Sequence, residues 1–296
     1  MKKESMNLGI KIASYNTGLT RIRLFGCTLF EFAPHVEFRS KHIYSTIMAV
    51  NPDIICLQEV FSRRHLELIS MSLLNTHPHR YAPRSLRPKL FGSGLALFSK
   101  FPILEFNLHW FKSQLFEEAV FAPRSYMTVT VDTGTQGLVE IINCHTTAGG
   151  SRHHPESSTA DACRQLQIEE MVVFSSERDI SVNHSLLVGD LNCGPEASIE
   201  NYKYLLSKGF TDLVVRALED APAPITWDPQ NSLNAFSPHK TSPPQRIDHI
   251  FAKSKSKFSA VDYKAFGIEP KVVVFPENYC TPSDHYGVMV AFKELK

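Results

Sequence analysis

Residues 185–195 read SLLVGDLNCGP. The run from Leu186 to Gly189 is apolar or small and of strand length, yet it leads straight into Asp190, with Asn192 two places later. A carboxylate at the end of a buried strand is costly to desolvate unless something there meets its charge.

The same pattern recurs outward from this stretch. Short runs rich in β-branched residues appear as IKIASYN (10–16), DIICLQE (53–59), GLALFS (94–99), SYMTVTVD (125–132), LVEIINCH (138–145), RIDHIFA (246–252) and YGVMVAF (286–292). Each is strand-length. Helical patterns fall between some of them: 40–51, 62–75 with Ser62 as N-cap, 159–176, and 196–209 with Gly209 as a left-handed stop. Strands outnumber helices, and the hairpin-like neighbours 125–132 and 137–144 sit beside helix crossovers. This predicts mixed sheets in an α/β sandwich, not a doubly wound parallel sheet. Proline-rich loops fall late, at 220–229 and 237–245, but no linker, repeat or low-complexity block divides the 296 residues. One domain over 1–296 is expected.

Composition narrows the function classes. An apolar fraction of 43% and a charged fraction of 21% are those of an ordinary globular chain. With 31 basic and 30 acidic residues the formal charge is +1, so no whole-protein field attracts a polyanion such as nucleic acid. The six cysteines form no CxxC pair, which argues against zinc; Cys56 and Cys144 lie in apolar runs and read as free thiols in a reducing compartment. The start, MKKESMNLGI, has no apolar h-region, and no apolar run approaches the ~20 residues of a membrane span. The expectation is a cytoplasmic or otherwise soluble protein without a classical signal peptide, with signal-independent export left open.

Other strands end as 185–192 does. Asn16, Glu59, His145, Asp190 and Asn192 close strand-like runs, Asp248 stands near the start of one, and Asp284 and His285 precede the last. Taken singly, each is an ordinary turn, cap or structural residue. If the ends converge, they assemble four carboxylates, two amides and two imidazoles. Four carboxylates do not stay ionised together without a cation or shared protons, and hard oxygen ligands suit Mg²⁺ or Mn²⁺. Magnesium held by carboxylates typically serves phosphate chemistry.

The motifs SYNT (14–17), LQEV (57–60), NCHTTAG (143–149), GDLNCGP (189–195), RIDHIF (246–251) and SDHYGV (283–288), in this order, resemble the signature of the endonuclease/exonuclease/phosphatase superfamily. The resemblance spans nearly the whole chain. It implies a four-layer α/β sandwich, with two central mixed β-sheets flanked by helices (the DNase I-like fold), and metal-dependent cleavage of a phosphoester. It also implies that Glu59 is the principal metal ligand, with Asn16 at the metal and Asp284 supporting it. His285 resembles the general base and Asp248 its carboxylate partner. By the same analogy Asp190 orients the nucleophile, Asn192 positions it or a phosphoryl oxygen, and His145 donates to phosphoryl oxygens. A His/Asp pair without a GxSxG-type nucleophile motif points to in-line attack by water.

GSGLALFSKFPI (92–103) resembles the neutral sphingomyelinase branch, which implies a phospholipid phosphodiester as substrate. Two departures stand out: His145 is followed by Thr146 and Thr147, and Arg124 occupies the place of a lysine common in that branch. An arginine there still binds phosphate, with different geometry. TWDPQNSL (226–233) brings Trp227 and Asn231 toward the substrate, but that motif occurs in several branches. Residues 19–38, with Phe25, Phe30, Phe32, Phe38, Arg21, Arg23 and His35, form either an apolar, basic-edged lip for peripheral membrane contact or packing on the sandwich edge. His153 and His154 fit a solvated polar loop better than a second metal site. Within the enzyme class the rivals are a nuclease or tyrosyl-DNA phosphodiesterase-like enzyme, disfavoured by the neutral charge, and a phosphoinositide phosphatase, for which no Lys/Arg cluster is evident. A non-catalytic membrane- or partner-binding module is disfavoured because Glu59, Asp190, Asp248 and His285 are all present. No obligate protein partner is evident.

Overall fold

Strands apolar on both faces need a packed layer on either side, and the chain meets that need with two stacked sheets between helices. The computed structural model describes residues 9–24, 27–83, 92–134, 137–149, 157–177, 182, 184–218, 221–235, 237, 240–254, 258–275 and 278–294. The first sheet has the order β13 (Phe258–Phe266), β16 (Gly287–Glu294), β1 (Ile10–Asn16), β4 (Ile54–Gln58), β6 (Ala96–Ser99), β5 (His79–Tyr81). The second has the order β11 (Thr211–Asp212), β12 (Asp248–Ser254), β10 (His184–Asp190), β9 (Leu138–His145), β8 (Ser125–Asp132), β7 (Ile103–Trp110). Two hairpins stand apart: β2 (Arg21–Leu24) with β3 (Cys27–Glu31), and β14 (Val272–Phe275) with β15 (Asn278–Cys280).

The period-2 alternation of a strand sorts the layers. In β1, Ile10 and Ile12 join Leu186, Val188 and Ile250 of the other sheet. Ala13 and Tyr15 turn the other way, onto Ile43 and Ile47 of α2 (Ile43–Met48) and Ile69 and Leu73 of α3 (Arg63–Leu73). In β10, Leu187 packs outward with Ile168 and Met171 of α5 (Ser157–Glu177) and Leu205 of α6 (Ile199–Ser207). The result is the expected four layers with two mixed sheets in the middle.

Each sheet contains one parallel pair, β1 with β4 and β9 with β10; the other pairings among its described strands are antiparallel. A strand antiparallel to its neighbour begins where that neighbour ends. The C-terminal tips of β9 and β10 therefore lie beside the starts of β8 and β12, and a single register row crosses Ser125, His145, Asp190 and Asp248. Pairing has set the polar tips in line.

Directly beneath that row a polar bridge crosses the otherwise apolar space between the sheets. Gln58 Nε2 donates to Asn143 Oδ1 at 2.8 Å, and Asn143 Nδ2 lies 3.2 Å from the carbonyls of both Leu57 and Ala96. Both side chains are fully buried. Asn143→Leu keeps the volume and strands these partners, so it should lower unfolding stability by roughly 2–3 kcal/mol. Chemical denaturation checks this; an unchanged midpoint would show the bridge to be dispensable.

Local signals survived folding with one exception. Ser62 caps α3, accepting from His65 N at 3.5 Å, and α6 ends before Gly209 at φ 85°. Of the helix expected over 40–51 only Ile43–Met48 (α2) forms; a separate turn of helix, α1 (Val36–Arg39), precedes it, with the buried Arg39 guanidinium tied to loop carbonyls and the chain turning at 40–42. Residues 19–38 are not a plain loop: they form the β2–β3 hairpin and α1, and Arg21 pairs with Glu31 and Glu37, so it is no free basic edge. Phe32 and Phe38 are about half exposed, at 54% and 46%, while the side chains of Phe25, Phe30 and Arg23 lie outside the described residues, as do His153 and His154. Cys56, Cys144, Cys163, Cys193 and Cys280 are buried free thiols.

Candidate active site

The row of strand tips opens into a cleft of about 400 Å³ whose walls include Thr20, Glu59, Arg124, His145, Asp190, Asn192, Trp227, Asp284 and His285. Asn16 and Asp248 lie behind this wall, fully buried. Inward parity puts them there: Asn16 follows Ile10, Ile12 and Ser14 along one face of β1, and Asp190 follows Leu186 and Val188 along β10.

Backbone shape completes the placement. Glu59 and Asn192 adopt left-handed conformations, at φ 60° and φ 48°, one residue beyond β4 and two beyond β10. Such positions in residues other than glycine cluster at functional sites, where surrounding contacts hold them. Gly18, at φ 55°, passes so close to the last loop that a Cβ would lie 1.9 Å from Asp284 Oδ1.

His285 Nδ1 and Asp248 Oδ2 are 2.9 Å apart, and His285 Nε2 lies 3.9 Å from Asp190 Oδ2. Burial opposes a charged imidazole here. The charge and hydrogen bond of Asp248, with Asp190 and Asp284 nearby, outweigh it and hold His285 well above the ordinary histidine value. Burial first, then the charge of Asp248, pushes the Asp190 carboxyl up, against the pull of His285 and the amide of Asn16. His145 goes the other way: burial, then the neighbouring Arg124 charge, keeps its ring neutral.

Arg124 Nη1 lies 2.7 Å from His145 Nε2 and 2.8 Å from Nδ1; only the unprotonated ring nitrogen accepts. Its Nε donates to Glu118 Oε1 at 2.8 Å, and Glu118, on α4 (Phe116–Phe121), also accepts from the Thr147 hydroxyl and Ala148 N. Thr147 and Glu118 thus anchor the arginine, a support the sequence reading missed. Asn192 N donates to Asp190 Oδ1 at 3.0 Å, and its Nδ2 donates to Thr146 O at 3.1 Å.

Glu59 sits between helpers: Asn16 Nδ2 is 3.2 Å from its Oε1 and Thr20 Oγ1 is 2.5 Å from its Oε2. Asn16 Nδ2 also donates to Asp190 Oδ2 at 2.9 Å, while its Oδ1 accepts from Gly18 N at 3.0 Å. Asn16, expected at the metal, therefore links two carboxylates through its NH₂, and its oxygen is occupied by the loop. Asn231, expected at the substrate, is buried beside the loop before His285: its Nδ2 donates to Ser283 O and its Oδ1 accepts from Thr281 Oγ1 and Leu233 N. Trp227 lines the cleft, and its backbone bridges both Gln245 and His285.

The acidic cluster suits a hard cation. Asp190, Asp248 and His285 offer ligand atoms within 4.8 Å of one another, and the buried Asp248 Oδ1 has no hydrogen-bond partner. Crowded carboxylates, one pushed toward its protonated form and another with an orphan oxygen, are what a divalent ion relieves. Glu59 and Asp284 add two more carboxylates on the cleft wall.

A sequence model of the Endonuclease/Exonuclease/phosphatase family matches residues 14–285. Sphingomyelin phosphodiesterase 5 of Danio rerio is 30% identical over 178 residues, which is 53% of this chain and 32% of that protein. Sphingomyelinase C of Leptospira interrogans is 25% identical over 278 residues, 89% of this chain and 47% of that protein. The chain thus spans 32% and 47% of the lengths of these two curated relatives. A Staphylococcus aureus beta toxin variant with bound magnesium ions superposes with TM-score 0.73 at 20% identity, covering 96% of this chain and 99% of the toxin. TDP2 of Caenorhabditis elegans superposes with TM-score 0.67 at 19% identity, covering 96% and 97%. The architecture is the DNase I-like fold that these proteins share.

Proposed function

Since the chain belongs to the Endonuclease/Exonuclease/phosphatase family, we propose that it is a Mg²⁺-dependent, sphingomyelinase-like phosphodiesterase that releases a phospholipid headgroup by in-line attack of water. Most weight falls on one feature, the His285–Asp248 pair at 2.9 Å facing a carboxylate-lined cleft. Neutral His285 accepts the water proton at Nε2. Asp248 fixes the tautomer by accepting from Nδ1–H and stabilises the imidazolium that forms. Asp190, 3.9 Å from Nε2, orients the nucleophile. Arg124 and the neutral His145 face the phosphoryl oxygens, where donors of this kind are worth ~3 kcal/mol each. Asn192, turned by its left-handed backbone, positions a phosphoryl oxygen. The bond between phosphorus and the leaving alkoxide breaks as the bond to water oxygen forms.

Glu59 and Asp284, with Asp190 adjacent, would hold the ion. His285 is kept out of its ligand set because one lone pair cannot serve both metal and proton. Bound Mg²⁺ supplies positive charge to the phosphoryl group.

A lipid substrate is supported by the sphingomyelin-cleaving relatives and by the rim. Phe32 and Phe121, each about half exposed, line the cleft, and Phe116, at the start of the helix that carries Phe121, is 78% exposed. The same rim supports peripheral membrane contact near residues 19–38. The test sets sphingomyelin vesicles, phosphoinositide vesicles and plasmid DNA side by side, each with Mg²⁺ and with EDTA. Phosphocholine release that EDTA abolishes and Mg²⁺ or Mn²⁺ restores is expected. Nicked plasmid without phosphocholine would reassign the substrate to nucleic acid, and EDTA-insensitive hydrolysis would remove the metal from the mechanism.

A further inference from the structure

Two arginines, Arg39 and Arg164, are fully buried, and each lies on a helix of the crossover that joins the parallel pair of its sheet. Arg39 ends α1, between β1 and β4; Arg164 lies on α5, between β9 and β10. The guanidinium of Arg39 meets five carbonyls and no carboxylate: Nε reaches Pro34 O at 2.7 Å, Nη1 reaches Thr17 O at 3.2 Å and Pro282 O at 3.1 Å, and Nη2 reaches Gly18 O at 2.6 Å and Ala33 O at 2.8 Å. A guanidinium has five N–H donors in a fixed plane, so every donor is used. Arg164 grips the matching loop of the second sheet: Nε and Nη2 reach Thr147 O at 3.0 and 2.9 Å, Nη2 also reaches Gly149 O, and Nη1 pairs with Asp161 Oδ1 at 2.7 Å.

Two of the carbonyls that Arg39 grips, those of Thr17 and Gly18, follow directly on Asn16, and those that Arg164 grips lie two and four places after His145. From Gly18 the path continues through Gly18 N to Asn16 Oδ1, and from Asn16 Nδ2 to Glu59 and Asp190. From Pro282 it continues to Ser283, whose hydroxyl donates to Asn16 O at 2.7 Å and accepts from His285 N at 3.2 Å. One cation thus ties the end of β1 to the loop that delivers His285. Burying a cation is expensive, and a core of apolar residues would stabilise the layer as well. What apolar residues cannot do is fix three separate backbone segments, 17–18, 33–34 and 282, at one point.

We infer that Arg39 and Arg164 are paired positioning residues: Arg39 sets the Asn16–Glu59–His285 side of the site and Arg164 sets the loop after His145. The inference rests on the phosphodiesterase reading and goes beyond it in assigning roles to two residues that touch neither substrate nor metal.

Lysine retains the charge but offers three donors from one atom, so it cannot reproduce the grip. Arg39→Lys and Arg164→Lys are compared with Val36→Ala, a buried truncation on α1 that leaves both guanidinium groups in place. Each is assayed for Mg²⁺-dependent hydrolysis and for the rise in melting temperature on adding Mg²⁺ alone. Arg39→Lys is expected to lower kcat by about 10²-fold, the usual cost of a small misplacement, with KM little changed, and to shrink the Mg²⁺-induced rise. Arg164→Lys is expected to lower kcat similarly while the Mg²⁺-induced rise stays at the wild-type value. Val36→Ala, at equal loss of melting temperature, is expected to keep wild-type kcat. Folded arginine variants with wild-type kcat, or a Val36→Ala loss equal to theirs, would overturn the inference. If every arginine variant fails to fold, Arg39→Gln included, the role is structural only and the inference is equally overturned. An inactive wild type would instead count against the phosphodiesterase reading.

Discussion

His285→Ala should lower kcat/KM by about 10⁴-fold, the upper range for a general base, which is ~5.4 kcal/mol of transition-state stabilisation. The imidazole has little structural work to lose. It sits at the cleft wall, and the loop around it is held by the backbone of Trp227, by Ser283 and by Asn231. The variant should therefore fold, as circular dichroism would report. Asp248→Asn is the companion: roughly a 10³-fold loss is expected, because an amide no longer enforces the tautomer that leaves Nε2 free. The pH profiles separate the two roles. The base works unprotonated, so activity rises with pH through the His285 pKa, which Asp248 raises above the free value of 6.5. Removing that charge should move the acid limb of kcat/KM to lower pH even as the plateau falls. Substantial activity in folded His285→Ala, or an acid limb that stays put in Asp248→Asn, would take the base assignment away from this pair.

Glu59→Gln should lower activity by about 10³-fold and raise the Mg²⁺ concentration for half-activation, since an amide is a poor ligand for a hard cation. Shape is conserved in this change. Gln can still accept one hydrogen bond from Thr20 or Asn16, which now approach Glu59 at 2.5 and 3.2 Å, so a folding defect is not expected. Isothermal titration with Mg²⁺ measures the loss without substrate. A variant that binds Mg²⁺ as the wild type does would move the ion to Asp190 and Asp248, whose ligand atoms already lie close together.

Much of the site was legible in the order of residues because strands have a period of two. Ile10, Ile12, Ser14 and Asn16 occupy one face of β1, and Leu186, Val188 and Asp190 one face of β10, so an apolar series that turns polar at its end marks a tip facing the space between the sheets. The same parity could have exposed Gln58 and Asn143, the bridge just beneath. Arg39 gave no such signal. Nothing local distinguishes a surface arginine at the end of a short helix from one that gathers five carbonyls, and its partners lie as far along the chain as Pro282. Asn231 hid its contacts for the same reason: a polar residue in a proline-rich stretch looks available, and only the tertiary structure shows its hydrogen bonds with Thr281 and Ser283.

By itself the sequence determined eight strands of the two sheets, though not β5, β7, β11 or β13, the polar groups that most of those eight carry at one end, and the kinship of their order with a phosphoester-cleaving fold. It did so because strand formation and side-chain parity depend on residues a few places apart. Which tips meet was decided only in the tertiary structure, where one parallel pair per sheet and antiparallel neighbours bring Asn16, His145, Asp190, Asp248 and His285 to the same edge. Register and sheet stacking are set by contacts between segments tens to hundreds of residues apart, from Asn16 with Gln58 to Ile10 with Phe292, and no local pattern contains them.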